Sequence, residues 1–172
     1  MNIIDKFQEI KKDLSNIGLR RGEFVNYFCT PLDAVIFADL GVDGIHFCII
    51  PLKYDKTLEN SPIYVISPCM SEHYVEPIAE NFTCFLSLIA VTKDSSVMEC
   101  ISYMTKESFN NYLKTIPEES EEIVQAIKKE NFSLKDIPDV YDYVKNVQKN
   151  ERWRKVKFTQ EYYEVIGEKE TT

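Results

Sequence analysis

A chain of 172 residues, 44% of them hydrophobic, is long enough to bury one core of ordinary size, and its longest apolar run, Phe85 to Val91, falls far short of the roughly 20 residues a bilayer span needs. The 28 acidic against 20 basic residues leave a net charge of −8, which argues against general affinity for a phosphate backbone and suits a basic protein partner, or plain solubility, better. Cysteines at 29, 48, 69, 84 and 100 form no C-x-x-C pair and sit mostly in apolar strings, so they read as small core residues of a reducing cytoplasm, with no metal site, redox pair or cofactor implied.

The first residues carry charge and lack the basic-then-apolar order of a secretory signal. The expectation is a soluble, cytoplasmic protein folded as a single domain over residues 1–172, with residues 168–172 frayed. Ile3, Ile4, Phe7, Ile10 and Leu14 recur at helical spacing and predict an amphipathic helix over residues 3–14. Gly22 through Cys29 reads as a short strand or extended entry. Thr30-Pro31-Leu32-Asp33 then combines a cap, an N1 proline and an early acid, which predicts a short helix closed by Gly41.

Two runs of strand length follow, Gly44 to Ile50 and Ile63 to Ser67, rich in β-branched and aromatic residues and joined by a polar stretch that suits a hairpin loop. Their pairing is expected to be antiparallel. Alternation places Phe47 and Ile49 on one face and His46, Cys48 and Ile50 on the other, and because both sets are apolar, both faces should be covered. Tyr74-Val75-Glu76-Pro77-Ile78 suggests a third strand, whose proline is tolerated best near an edge or at a strand end. Asn81 caps a helix with an apolar face of Phe82, Phe85, Leu86, Ile89 and Ala90. From Lys93 onward the pattern is helical, with breaks at Thr105, Pro117, Ser133 and Pro138. Strands early and helices late indicate an α+β fold: a small, mainly antiparallel sheet with helices packed on it and a helical C-terminal half.

Three constellations carry chemistry. His46 and Cys48 share a sheet face, and His73 lies among Glu72, Glu76 and Glu80, so a small hydrolase-like enzyme would use His46 or His73 with nearby acids. A packed histidine and a solvated loop explain the same residues. Glu118, Glu119, Glu121 and Glu122 crowd a helix start, where they favour the dipole and also make an acidic surface. Arg152, Arg154, Lys155 and Lys157 alternate with Trp153 and Phe158, the pattern of a nucleic-acid arm, or of a structural arm whose apolar residues dock while its cations stay wet.

The run Pro62-Ile63-Tyr64-Val65-Ile66-Ser67-Pro68, then Tyr74 to Asn81 and Phe82-x-x-Phe85-Leu86, with Gly41-Val42-Asp43-Gly44-Ile45-His46-Phe47 before it, resembles the SUKH superfamily over roughly residues 3–115. That superfamily holds Smi/Knr-type regulators and many bacterial toxin-immunity proteins. The chain lacks the Leu-Pro-x-x-Tyr segment and the Asn-Gly turn often seen after the first helix. The resemblance implies an α+β scaffold that binds another protein, commonly a cationic nuclease-type toxin, and has no catalytic activity. With it, the acids Glu72, Glu76, Glu80, Glu118, Glu119, Glu121 and Glu122 become the expected partner-binding set.

Overall fold

Four β-branched and aromatic runs build the sheet that organises this protein. In the computed structural model, which describes residues 2–167, they are β1 (Val35–Asp39), β2 (His46–Ile49), β3 (Ile63–Ile66) and β4 (Val75–Ala79). All neighbours are antiparallel, in the order β1-β2-β3-β4. The expected fraying of 168–172 concerns residues outside the described ones.

Each face buries a different set. Phe47 and Ile49 of β2 join Ile63 and Val65 of β3 in the larger core, whereas Cys48, Tyr64 and Ile66 belong to a second apolar cluster on the opposite face. The register explains this: directly paired residues such as His46 with Ile66 and Cys48 with Tyr64 share a face. A register shift between Ile36 and Ala38 inserts Phe37 as an extra residue in β1, so Phe37 and Ala38 both enter the larger core. A second shift admits Ile78 and Ala79 together.

Both edges are blunted. On β1, Arg20 exchanges two backbone hydrogen bonds with Asp39, and Gln8 Nε2 donates to Phe37 O (2.9 Å). β4 carries Pro77, as expected of an edge strand.

Eight α-helices are present among the described residues. The early helix is shorter than its apolar spacing suggests: α1 covers only Ile3–Gln8, opened by a capping box between Asn2 and Asp5. The Arg21 guanidinium takes the carbonyls that a longer helix would have used, those of Phe7, Gln8, Ile10 and Lys12, at 2.7–3.1 Å. Ile10 and Leu14 stay buried in an irregular chain that ends in a 3₁₀ turn, Ser15–Ile17. The helix expected between Thr30 and Gly41 does not form. Asp33 adopts a left-handed φ of 64°, which no right-handed helix passes through, and Val35-Ile36-Phe37 pairs with β2 instead.

α2 (Phe82–Thr92) begins as expected, with Asn81 Oδ1 accepting from the Cys84 N–H at 2.9 Å. α3 (Ser96–Cys100), α4 (Lys106–Leu113), α5 (Ser120–Lys129) and α6 (Val140–Gln148) follow, α6 lying along β4. The C-terminal arm is helical in two short pieces, α7 (Glu151–Arg154) and α8 (Gln160–Ile166). No helix among the described residues is long and apolar enough to cross a membrane.

Candidate functional site

In an antiparallel sheet the β1–β2 and β3–β4 turns lie at the same end, and here that end is open. The β1–β2 turn needs Gly41 and Gly44 at positive φ, 79° and 70°. Gly44 is further constrained, because a Cβ there would sit 2.4 Å from the Tyr27 ring. Tyr27 lies over this glycine and stacks on His46, ring centroids 5.8 Å apart. Residues 20–27 thereby form one wall, and Asp39 to His46 the other, of a cavity of about 310 Å³.

Apolar and acidic groups alternate around it. Val25 is 71% and Val42 57% exposed, with Tyr27 half out in solvent between them. Asp39 is spoken for: its Oδ1 accepts from Arg20 Nε and from the Gly41 N–H, both at 2.7 Å. Glu23 and Asp43 are exposed and form no ion pair among the described residues. The β3–β4 turn adjoins, with Cys69 Sγ 3.9 Å from Asp43 O, and it carries the exposed Glu72.

His46 holds the groove together. Gly44 O can only accept, so the 2.7 Å contact fixes the proton on Nδ1, and Nε2 then accepts from Thr30 Oγ1 at 3.2 Å. Thr30 Oγ1 accepts in turn from the Tyr27 N–H at 2.8 Å. Burial lowers the His46 pKa, against smaller opposing effects of the Gly44 hydrogen bond and Asp39, so the ring is kept neutral with both nitrogens engaged. Cys48, on the same face, is wholly enclosed and burial pushes its thiol up; Cys29 is pushed up to about 12. These thiols are protonated and inert as nucleophiles.

His73 sits elsewhere, at β4. Its Nδ1 lies 2.8 Å from Glu76 Oε1, and Arg154 Nη2 donates to Glu76 Oε2 at 3.0 Å, so a buried carboxylate is clasped from two sides. Glu76 was expected among the surface acids and is instead withdrawn into the protein, where it ties the C-terminal arm to β4.

The remaining expected acids do not form one surface. Glu72 is at the groove end, while Glu80 follows β4 at its opposite end, its backbone N–H donating to Tyr143 Oη at 3.3 Å. Glu118 and Glu119 are exposed just before α5. Glu121 is held by Lys93 at 2.9 Å, and Glu122 by Lys12 at 2.6 Å. Hydrogen bonds to these lysines lower both carboxyl pKa values, which marks charges already matched within the chain.

Among the described residues no group of three His, Cys, Asp or Glu side chains is placed to hold a metal ion. Glu23, Val25, Tyr27, Val42 and Asp43 do not stand out as a site in the sequence, because a helix over residues 30–41 leaves no β1 to bring residues 20–27 against the Gly41–Gly44 turn. The usable signal was the Gly41-Val42-Asp43-Gly44 turn, which exposes an apolar and an acidic side chain side by side. Comparison with known proteins finds no matching family model, no matching curated protein and no matching solved structure.

Proposed function

We propose that this chain is a noncatalytic protein-binding module of the SUKH kind, an immunity or regulatory protein that occludes a cationic protein. The observation that carries the reading is the open end of the sheet, where exposed Val25, Tyr27 and Val42 border a cavity beside Glu23 and Asp43, acids without an ion pair among the described residues. Binding energy concentrates in aromatic and apolar anchors, while unpaired rim acids speed encounter with a basic surface. Tyr27 supplies the anchor and Glu23, Asp43 and Glu72 supply the rim. The other two readings have less support. His46 has both ring nitrogens committed to the fold, and the arm's Trp153 and Val156 pack on the sheet rather than standing free to stack on bases.

The test is affinity capture at low and high salt with the wild type, with Glu23→Lys plus Asp43→Lys, and with Glu121→Gln plus Glu122→Gln as a control. The proposal expects a basic protein, held less well at high salt, that the charge-reversed variant loses and the control keeps. Equal capture by all three, or nothing retained but the bait, contradicts it.

A further inference from the structure

The second sheet face is closed by the chain's own C-terminal arm, and the arm has the chemistry of a ligand. Between Lys149 and Phe158 it carries Lys149, Arg152, Arg154, Lys155 and Lys157 against one acid, Glu151, on a protein whose net charge is −8. Trp153, Val156 and Tyr162 pack on the cluster of Cys48, Tyr64 and Ile66, with Ile36, Ile50 and Val75 beside them. A basic, aromatic segment is thus seated on an apolar strip of an acidic body.

The seat combines a few polar contacts with ring packing. Lys157 O accepts from the Leu32 N–H at 2.8 Å, Arg154 reaches Glu76 at 3.0 Å and donates from Nε to Gln148 O at 2.6 Å, and the Tyr162 ring lies 6.2 Å from Tyr74 and 6.4 Å from Phe28, whereas the 3.8 Å stack of Phe158 on Tyr162 is internal to the arm. No residue of α7 or α8 is buried, although the residues they cover are. At four and seven residues, these helices are too short to persist without their contacts. Thr159 Oγ1, at the start of α8, is enclosed with no hydrogen-bond partner among the described residues. An element with exposed backbone and few buried contacts opens at a free energy well below that of global unfolding.

We infer that residues 151–166 are a releasable strap and that the sheet face of Cys48, Tyr64 and Ile66 is a second docking surface, which takes a basic, aromatic segment of another protein in place of the strap. The inference concerns a different surface from the groove of Glu23 and Asp43 and stands whether or not that groove binds anything. The strap competes with the incoming segment, so the face is available only while the strap is off. Arg154 matters most, because among the described residues its guanidinium is the one arm cation with a buried counter-charge.

The experiment uses the full chain. A fluorescein-labelled peptide with the sequence of residues 150–163 is titrated into wild type and into Arg154→Ala, with a scrambled peptide as control. Thiol alkylation is followed residue by residue by mass spectrometry. The peptide supplies the guanidinium that the variant lacks, so saturable binding about tenfold tighter than to wild type is expected. In wild type below the unfolding midpoint in urea, Cys48 should alkylate before Cys84, which lies in α2 against the larger core. Adding the peptide to Arg154→Ala should slow Cys48 and leave Cys84 unchanged. Peptide binding no better than that of the scrambled control overturns the docking surface. Should Arg154→Ala fail to fold, wild-type alkylation still decides: Cys48 and Cys84 reacting in step would show that the arm opens only with the whole protein.

Discussion

The two faces of the sheet are closed in different ways. On one, Phe37, Phe47, Ile49 and Val65 meet α1 and α2 through interlocked rings, Phe37 lying 5.9 Å from Phe7, 4.9 Å from Phe82 and 5.4 Å from Phe85, all fully buried. On the other, Cys48, Tyr64 and Ile66 are equally buried, but their cover is a half-exposed loop and arm, Phe28, Trp153, Val156 and Tyr162. The first face stabilises the fold through packing among residues that have nowhere else to go. The second leaves a cover that can part from it, and both surfaces proposed to bind other proteins, the Tyr27 groove and the seat of the arm, lie on or beside this side.

The largest effect expected of a single change is on the first face. Phe47→Ala should lower stability by about 3–5 kcal/mol in urea melts, the usual cost of removing a buried ring from a packed core. A loss below about 1 kcal/mol would mean that the packing described here does not hold the protein together. Arg154→Ala should cost about 1.5–3 kcal/mol of the arm's attachment, since it leaves the Glu76 carboxylate with His73 as its ion-pair partner among the described residues. Faster hydrogen exchange should then appear in residues 151–166 and be absent from α2. Gly44→Ala forces a β-carbon into the Tyr27 ring at a left-handed φ and should cost about 1–3 kcal/mol, read as a lower melting temperature.

A smaller effect depends on pH. Burial lowers the His46 pKa below the value of about 6.5 that the unfolded chain shows. On acidification the unfolded state takes up this proton first, so the contribution of His46 is complete above about pH 6.5 and fades as the pH falls below it. His46→Gln should therefore lose less stability than wild type between pH 7 and 5. The difference between the two proteins is the readout, because carboxylates titrate in both. Identical pH slopes would place His46 outside a desolvated site. Least of all should Glu23→Gln and Asp43→Asn alter stability, by less than about 0.5 kcal/mol, while slowing association with a basic partner in a salt-dependent way.

The first face was the more legible in sequence, and for a physical reason. Its residues announce themselves by period: alternation in Ile45 to Ile50 and Ile63 to Ser67, and helical spacing after the Asn81 cap, each produced by burial on a fixed side. Burial also survived where the element did not, as with Ile10 and Leu14, because apolar spacing reports what is covered rather than which backbone covers it. The Thr30-Pro31 cap signal misled because local propensity for a helix start lost to strand pairing of Val35 to Asp39 with β2. The groove was hidden for the same reason, since Tyr27, Asp39 and Asp43 meet only once β1 exists. Glu76 was read as a surface acid because strand alternation does not say which polar residue will find a guanidinium 78 positions away.

Trp153 is the chain's single tryptophan and lies in the arm, so one cuvette separates the two faces. Tryptophan emission reports the cover of the second face, and far-UV circular dichroism reports the helices, most of which pack against the first. In a urea titration of the full chain, emission should shift to the red at a lower midpoint than the loss of ellipticity, with the gap widened by Arg154→Ala and unaffected by Glu121→Gln. Coincident transitions in the wild type and in Arg154→Ala would mean that arm and core unfold as one unit, contradicting the distinction between a fixed and a releasable face.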